Sequence, residues 1–202
     1  MTPQERPAHR KILEQAVADL TEHGFDRFSV QRVLDGAGVS RATLYRHFPD
    51  VDGLIEIALV EMFRQQVDVY LGMVAELLSN ATDRASFRTA LRSLLEAFGS
   101  IPSVVRLRRA HTIVLASTRP ELGAAVSSVQ EALTDGWERA VRESQERGFL
   151  RAELHPRATA VMLQAIGIGR LVDDVAITQV SDEQWATSVY DFIDRSMAVH
   201  EP

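Results

Sequence analysis

The sequence predicts an all-α protein, and three observations predict it. Apolar residues recur with the helical period along nearly the whole chain, and no window sustains the alternation of a half-buried strand. Turn residues such as Gly38, Pro49, Pro102, Pro120 and Gly148 punctuate the periodic segments. Ile12, Leu13, Ala16, Val17 and Leu20 form one apolar stripe that stops at Gly24, a C′ residue. Val30, Val33, Leu34 and Ala37 form a shorter helix entered through Ser29 as N-cap and left at Gly38. Ser40 caps a third helix carrying Leu44, Tyr45 and Phe48 and ended by Pro49. Asp50 or Asp52 starts a much longer fourth, whose apolar pattern runs from Leu54 to Leu78. Five further helices are predicted at about 84–99, 102–116, 119–147, 156–176 and 182–198, punctuated by Ser79-Asn80, Pro102, Pro120, Gly148 and Pro156.

Composition narrows the function. The chain has 202 residues, 46% of them hydrophobic and 25% charged, which is ordinary for a globular protein with a real core. It has no cysteine, so a disulfide framework, zinc thiolates and cysteine catalysis are excluded. The start is polar, without the apolar core of a signal peptide, and no apolar run reaches the ~20 residues of a membrane span. A cytoplasmic protein without a membrane partner is expected.

The net charge of −6 is unevenly spread. Residues 1–50 are balanced, so the remainder carries the whole excess, while four arginines stand against the single acid Asp35 between Arg27 and Phe48. A small basic patch on an acidic body holds phosphates at one place and repels them elsewhere.

That patch contains the most informative stretch. Residues 29–48 read as a short helix, a Gly38-Val39-Ser40 turn and a second short helix, the spacing of a helix-turn-helix. Gly38 supplies the residue that tolerates positive φ, and Val33, Ala37, Val39 and Leu44 lock the helices together. Arg41, Thr43, Arg46 and His47 give the second helix a polar outer face of the kind that enters a major groove.

This passage resembles the DNA-binding region of the tetracycline-repressor (TetR) family of bacterial regulators. The matching residues are Gly24-Phe25, Phe28-Ser29-Val30, Ala37-Gly38-Val39-Ser40, Thr43-Leu44-Tyr45-Arg46-His47-Phe48 and Leu54. Over the remaining three quarters the resemblance extends only to length and helix pattern. It implies a DNA-binding domain at 1–50 joined by the long fourth helix to a helical regulatory and dimerisation domain at 51–202. Ser29 would cap the second helix and touch a phosphate. Ser40, Arg41, Ala42, Thr43 and Tyr45 would lie at or in the groove, with Tyr45 and His47 reaching the backbone. Arg41 suits guanine, and the Ala42 or Thr43 methyl suits thymine. Phe25, Phe28, Leu44 and Phe48 would be core. Three positions depart from the family pattern: Leu34 replaces a usual alanine, Gly36 weakens the second helix by up to about 1 kcal/mol, and Val51 replaces a lysine that touches phosphate. Arg6, Arg10 and Lys11 are the cations available to compensate.

The expected partners are therefore a double-stranded palindromic operator, a second copy bound through the last two helices, and a small apolar or aromatic effector that releases a repressor. Val161, Met162, Ala165, Leu171, Val189, Phe192, Ile193 and Met197 are the expected intermolecular contacts. Met62, Phe63, Phe98, His111, Trp137, Met162 and Gln164 are the candidate effector-pocket residues, although apolar and aromatic residues at helical spacing are ordinarily core. His111 and Gln164 stand out because a polar group amid apolar neighbours must find a partner. The six histidines lack the i, i+4 pairing of a helical metal site, and no nucleophile elbow, phosphate loop or paired-carboxylate signature appears. Neither a cofactor nor an enzyme activity is expected. The alternative is a helical small-molecule-binding protein or enzyme whose N-terminal helices are structural only.

Overall fold

The computed structural model describes residues 5–199, with side chains from residue 7 onward. Ten helices occur among them: α1 (Glu5–His23), α2 (Val30–Ala37), α3 (Arg41–His47), α4 (Val51–Asn80), α5 (Arg84–Gly99), α6 (Ser103–Ala116), α7 (Pro120–Glu146), α8 (Pro156–Gly169), α9 (Leu171–Asp174) and α10 (Asp182–Met197). The described residues make two compact units, one up to residue 66 together with 115–126, the other 67–114 together with those from 127 onward. No helix is long and apolar enough to cross a membrane among the described residues.

In the first unit the helix boundaries follow from backbone chemistry. Gly24 takes φ +76° and its N–H closes α1 onto the Leu20 carbonyl at 3.1 Å. Ser29 caps α2 by accepting from the Arg32 N–H, and Gly38 at φ +66° ends it. There the Val39 N–H bonds the Leu34 carbonyl and the Gly38 N–H that of Asp35, the paired bonds of a Schellman motif. Ser40 accepts from the Thr43 N–H to start α3, and Asp50 accepts from the Gly53 N–H at 2.7 Å to start α4. Ile12, Ala16, Val33, Leu44, Phe48 and Leu54 meet in one core, joined by Leu115 from the returning segment. Arg119 pairs with Glu56 to hold that segment to α4.

A buried carboxylate fixes α1 to α2. The Asp19 side chain is 5% exposed and receives the Ser29 N–H at 2.9 Å and two N–H groups of Arg32 at 2.5 and 3.1 Å. Burial pushes this carboxyl up, but the Arg32 and Ser29 hydrogen bonds outweigh burial and hold it below the usual carboxylate range. Gln15 of α1 lies over Gly36 of α2, its side-chain amide occupying the place a Cβ would take.

Two expectations fail here. Phe25 is 47% exposed rather than core, because the left-handed turn at Gly24 carries the chain outward and Phe28 takes the inward place. The helix expected over 156–176 breaks at Arg170, whose side chain turns inward to the Gly99 carbonyl and the Asp182 carboxylate. Asp174 is likewise drawn to Arg106 in a nearly buried ion pair, which sets α9 off from α8.

The second unit holds its own core, in which Leu77, Phe87, Leu91, Leu95, Val141 and Ile193 take part. Capping boxes start α5 (Asp83 with Ser86) and α10 (Ser181 with Gln184). Arg147 satisfies the Leu78 carbonyl in the last turn of α4 and the Ala81 carbonyl just beyond it, with its guanidinium over the Phe149 ring. The chain end is tied down by a bridge in which Val199 N–H meets Phe149 O at 3.0 Å and Arg151 N–H meets Met197 O at 2.9 Å.

His9 of α1 stacks on Phe48 with ring centroids 4.7 Å apart, and His47 meets it edge-on at 6.0 Å. Burial, and then the nearby His47 charge, hold His9 below the ordinary histidine value. The folded unit therefore binds fewer protons at this position than the unfolded chain. Stability from His9 is complete above ~6.5 and is lost as pH falls through the folded value. Denaturant midpoints measured from pH 8 to pH 5 should fall below pH 6.5, and less steeply in His9→Phe. The Asp19 contribution has the same sign lower down, present above ~3.9 and lost on further acidification. At pH 7, Asp19→Asn should cost about 2 kcal/mol in urea unfolding, the range for hydrogen bonds to a charged group.

Candidate nucleic-acid interface

The outer face of α3 is built by what its inner face buries. Leu44 is 0% exposed and Phe48 is 1% exposed, so the seven-residue helix is nailed to the core along one side. The helical period then turns Arg41, Ala42, Tyr45 and Arg46 outward, all exposed, with Tyr45 at 46%. Thr43 and His47 lie half-buried at the margins. Thr43 Oγ1 sits 3.0 Å from Ser40 Oγ, so the capping serine and the threonine share one hydroxyl contact at the exposed start of the helix.

The four arginines of the basic stretch are not equivalent. Arg32 is committed to Asp19 and to the Arg27 carbonyl at 2.6 Å, and Arg27 Nε reaches back to the His23 carbonyl at 3.3 Å. Arg41 and Arg46 form no ion pair among the described residues. Ser29 is half-buried, its N–H and Oγ engaged by Asp19 and Arg32. His47 turns its Nε2 inward, where it is buried without a hydrogen-bond partner, and presents its ring to His9. Arg10 pairs with Glu14 along α1, Lys11 is exposed, and the side chain of Arg6 lies outside the described residues.

The seven candidate effector residues are not brought together. Met62 belongs to the first unit's core and Phe63 is also buried on that stretch of α4. His111 and Met162 are exposed. Gln164 is buried but satisfied: Gln130 Nε2 donates to its Oε1 at 2.7 Å, and its own Nε2 reaches the Ala160 carbonyl at 3.2 Å and Thr134 Oγ1 at 3.3 Å. Arg109 donates to Gln130 at 3.1 Å, and burial holds its guanidinium below the usual arginine value. Phe98 and Trp137 line an apolar space of about 80 Å³ in the second unit, shared with Leu91, Leu163, Gly167 and Trp185. Sequence reasoning missed these last four. Trp185 alone carried a signal, as one of two tryptophans.

Three of the eight expected intermolecular contacts also turn inward. Val189, Ile193 and Met197 face α5 within their own chain, because the period of α10 that buries Ala186 buries them too. Val161, Met162 and Phe192 remain exposed at 52%, 49% and 45%, with Ala165 and Ile168 on the same side of α8.

Residues 12–57, which contain all of this outer face, match the family model described as bacterial regulatory proteins, tetR family. The transcriptional regulator UidR of Escherichia coli K12 is 21% identical over 182 residues, covering 86% of this chain and 84% of that protein. A TetR-family regulator from Mesorhizobium loti superposes with a TM-score of 0.73 at 19% identity, covering 98% of this chain and all of the other. A transcriptional regulator from Saccharomonospora viridis, solved with choline, superposes at 0.68 and 19% identity over 96% and 98% of the two chains. Residues 12–57 thus carry the DNA-binding domain of the TetR family of bacterial transcriptional regulators, and the helix order of the whole chain is the fold of the solved regulators it superposes on.

Proposed function

We propose that the protein is a repressor that binds a palindromic operator as a homodimer and is released by a small-molecule effector. The observation that carries the DNA reading is the outer face of α3, where Arg41, Ala42, Tyr45 and Arg46 are exposed around the buried Leu44. In this reading residues 1–50 contact DNA and residues 51–202 regulate and dimerise. Arg41 and Ala42 meet base edges, with Ser40 and Thr43 beside them, while Tyr45, Arg46, Ser29 and His47 face the backbone. The inward Nε2 of His47 makes it the weakest of these contacts.

The dimer is proposed to form through α8 and α10, on the face that exposes Val161, Met162, Ala165, Ile168 and Phe192. A two-fold axis there requires contact centres one helical turn apart, ~34–36 Å, on the operator. Helix α4 belongs to both units and lends three residues, Val74, Leu77 and Leu78, to the cavity wall. A ligand that favours one position of α4 would shift the population of DNA-competent dimers, by a hundredfold for ~2.8 kcal/mol of differential affinity. The choline complex of a structural relative supports a small-molecule effector in such a fold.

Selection of bound duplexes from a random library, followed by titration at two salt concentrations, tests the proposal. A palindromic consensus is expected, with affinity falling as salt rises. Arg41→Ala should weaken the selected operator roughly 5- to 150-fold and relax preference at one base pair, the range for a bidentate base contact. Arg46→Ala should instead weaken all sequences alike and lower the salt slope by about one. No enrichment at low salt from folded protein overturns the DNA reading. Met162→Asp with Phe192→Asp should convert the dimer to a monomer in analytical ultracentrifugation; an unchanged dimer places the interface elsewhere.

A further inference from the structure

We propose that His9 of α1 is a positioning residue for the DNA contact of α3. It docks the neutral His47 ring inward, and a proton taken up by His47 frees that ring for a phosphate. Duplex binding then consumes a proton and strengthens as pH falls. The proposal rests on the DNA reading above.

His47 is the last residue of α3, and its Nε2 is buried without a hydrogen-bond partner among the described residues. A neutral imidazole tolerates this by leaving Nε2 bare, with its one hydrogen on Nδ1. The cation does not tolerate it. Both nitrogens then carry hydrogen, and the inner N–H points at no acceptor, which costs its full desolvation. A proton on His47 therefore expels the ring from its inward place.

His9 supplies the surface against which that ring rests. The two imidazoles meet at 79° with centroids 6.0 Å apart, while His9 itself lies flat on Phe48, 18° from parallel. Phe48 belongs to the core of the unit, so the place of His9 is set from inside. Its imidazole resists a proton, first through burial and then through the charge on His47. Two like charges so close repel, and the pair takes its protons in two steps. The first goes to His47, whose cation has a way out. The second goes to His9 and breaks the stack on Phe48 that anchors α3.

The way out leads to the surface offered to DNA, beside the exposed Arg46. A phosphate there gives the expelled N–H an acceptor that the interior lacks, in a charge-assisted hydrogen bond. DNA thus favours the protonated ring, and by reciprocity the proton favours DNA. The other charged groups of the surrounding elements are committed or in solvent, among the described residues. On α1, Arg10 pairs with Glu14 and Lys11 is exposed. On α2, Arg32 is held by Asp19, and Asp35 accepts from Gln31. At the start of α4, Asp50 accepts from the Gly53 N–H and Asp52 is exposed.

A phosphate contact acts at every sequence, so the experiment needs no operator. Binding of the intact protein to a labelled duplex of mixed sequence is measured against salt at pH 8 and at pH 6, with circular dichroism confirming the fold at each. The wild type is expected to bind more tightly at pH 6, with a salt slope steeper by about one per bound protomer, the mark of one added phosphate contact. His47→Gln should give the same slope at both pH values. His9→Phe keeps a ring on Phe48 but takes no proton. It should retain the steeper slope at pH 6 and lose the decline in affinity that the wild type shows on further acidification. A purely structural His9 would instead move affinity alike at both pH values, which overturns its positioning role. Equal wild-type slopes at the two pH values, or a slope that still steepens in His47→Gln, overturn the proposal and leave the DNA reading standing. Absence of duplex binding at both pH values from folded protein sinks the DNA reading and the proton linkage with it. Should a variant not fold, calorimetry of the wild type at pH 6 in two buffers of different ionisation enthalpy decides the matter: net proton uptake on binding supports the linkage, and none overturns it.

Discussion

The burial of Leu44 and Phe48 is the constraint on which the DNA-binding unit depends. A seven-residue helix is too short to be stable by itself, since nucleation costs more than two turns of hydrogen bonds return. It persists because its ends are closed by Ser40 and Phe48 and its inner side is dry. The same anchoring decides which residues remain outside. Arg41, Ala42, Tyr45 and Arg46 owe their exposure to geometry imposed from below, with Asp19 and the Gly38 turn holding α2 where Val33 and Ala37 can close the other side.

Arginine does much of the joining elsewhere. The chain has a single lysine, Lys11, and its guanidinium groups reach across sequence to main-chain carbonyls as well as to acids. Arg147 closes the end of α4, Arg170 ties the end of α5 to the start of α10, and Arg106 joins Ile101 to Asp174. Arg157 spans Glu131, Asp135 and Glu138, which raises its own pKa and fastens the start of α8 to α7. A planar fork with five donors can serve a carbonyl and a carboxylate at once, which an ammonium cannot do with the same fixed geometry.

Local chemistry explains what could be read from the sequence. Ser29, Gly38, Ser40 and Asp50 announce helix ends through bonds to residues three or four positions away, and each holds its expected place. The outward side of α3 was legible for the same reason, since Leu44 sets the phase. Tertiary facts were not legible. The break at Arg170 depends on carbonyls and acids far along the chain, and the inward turn of Val189, Ile193 and Met197 depends on where α5 lies. Period alone shows that a helix has an apolar side, but not whether its own chain or another covers it. The cavity lining was hidden likewise, because Leu91 and Leu163 carry no mark that separates them from any other core leucine.

The exposed residues of α3 form almost no bonds inside their own unit, whereas Asp19, Leu44 and Phe48 form many and are buried. The side chains that hold the fold and those offered to solvent are thus separate sets only one helical turn apart. Exchange at positions 41, 42, 45 and 46 changes what the surface presents and leaves the free energy of folding nearly untouched. Single substitutions on that face therefore need no prior stabilising one, and the anchor beneath stays the same throughout.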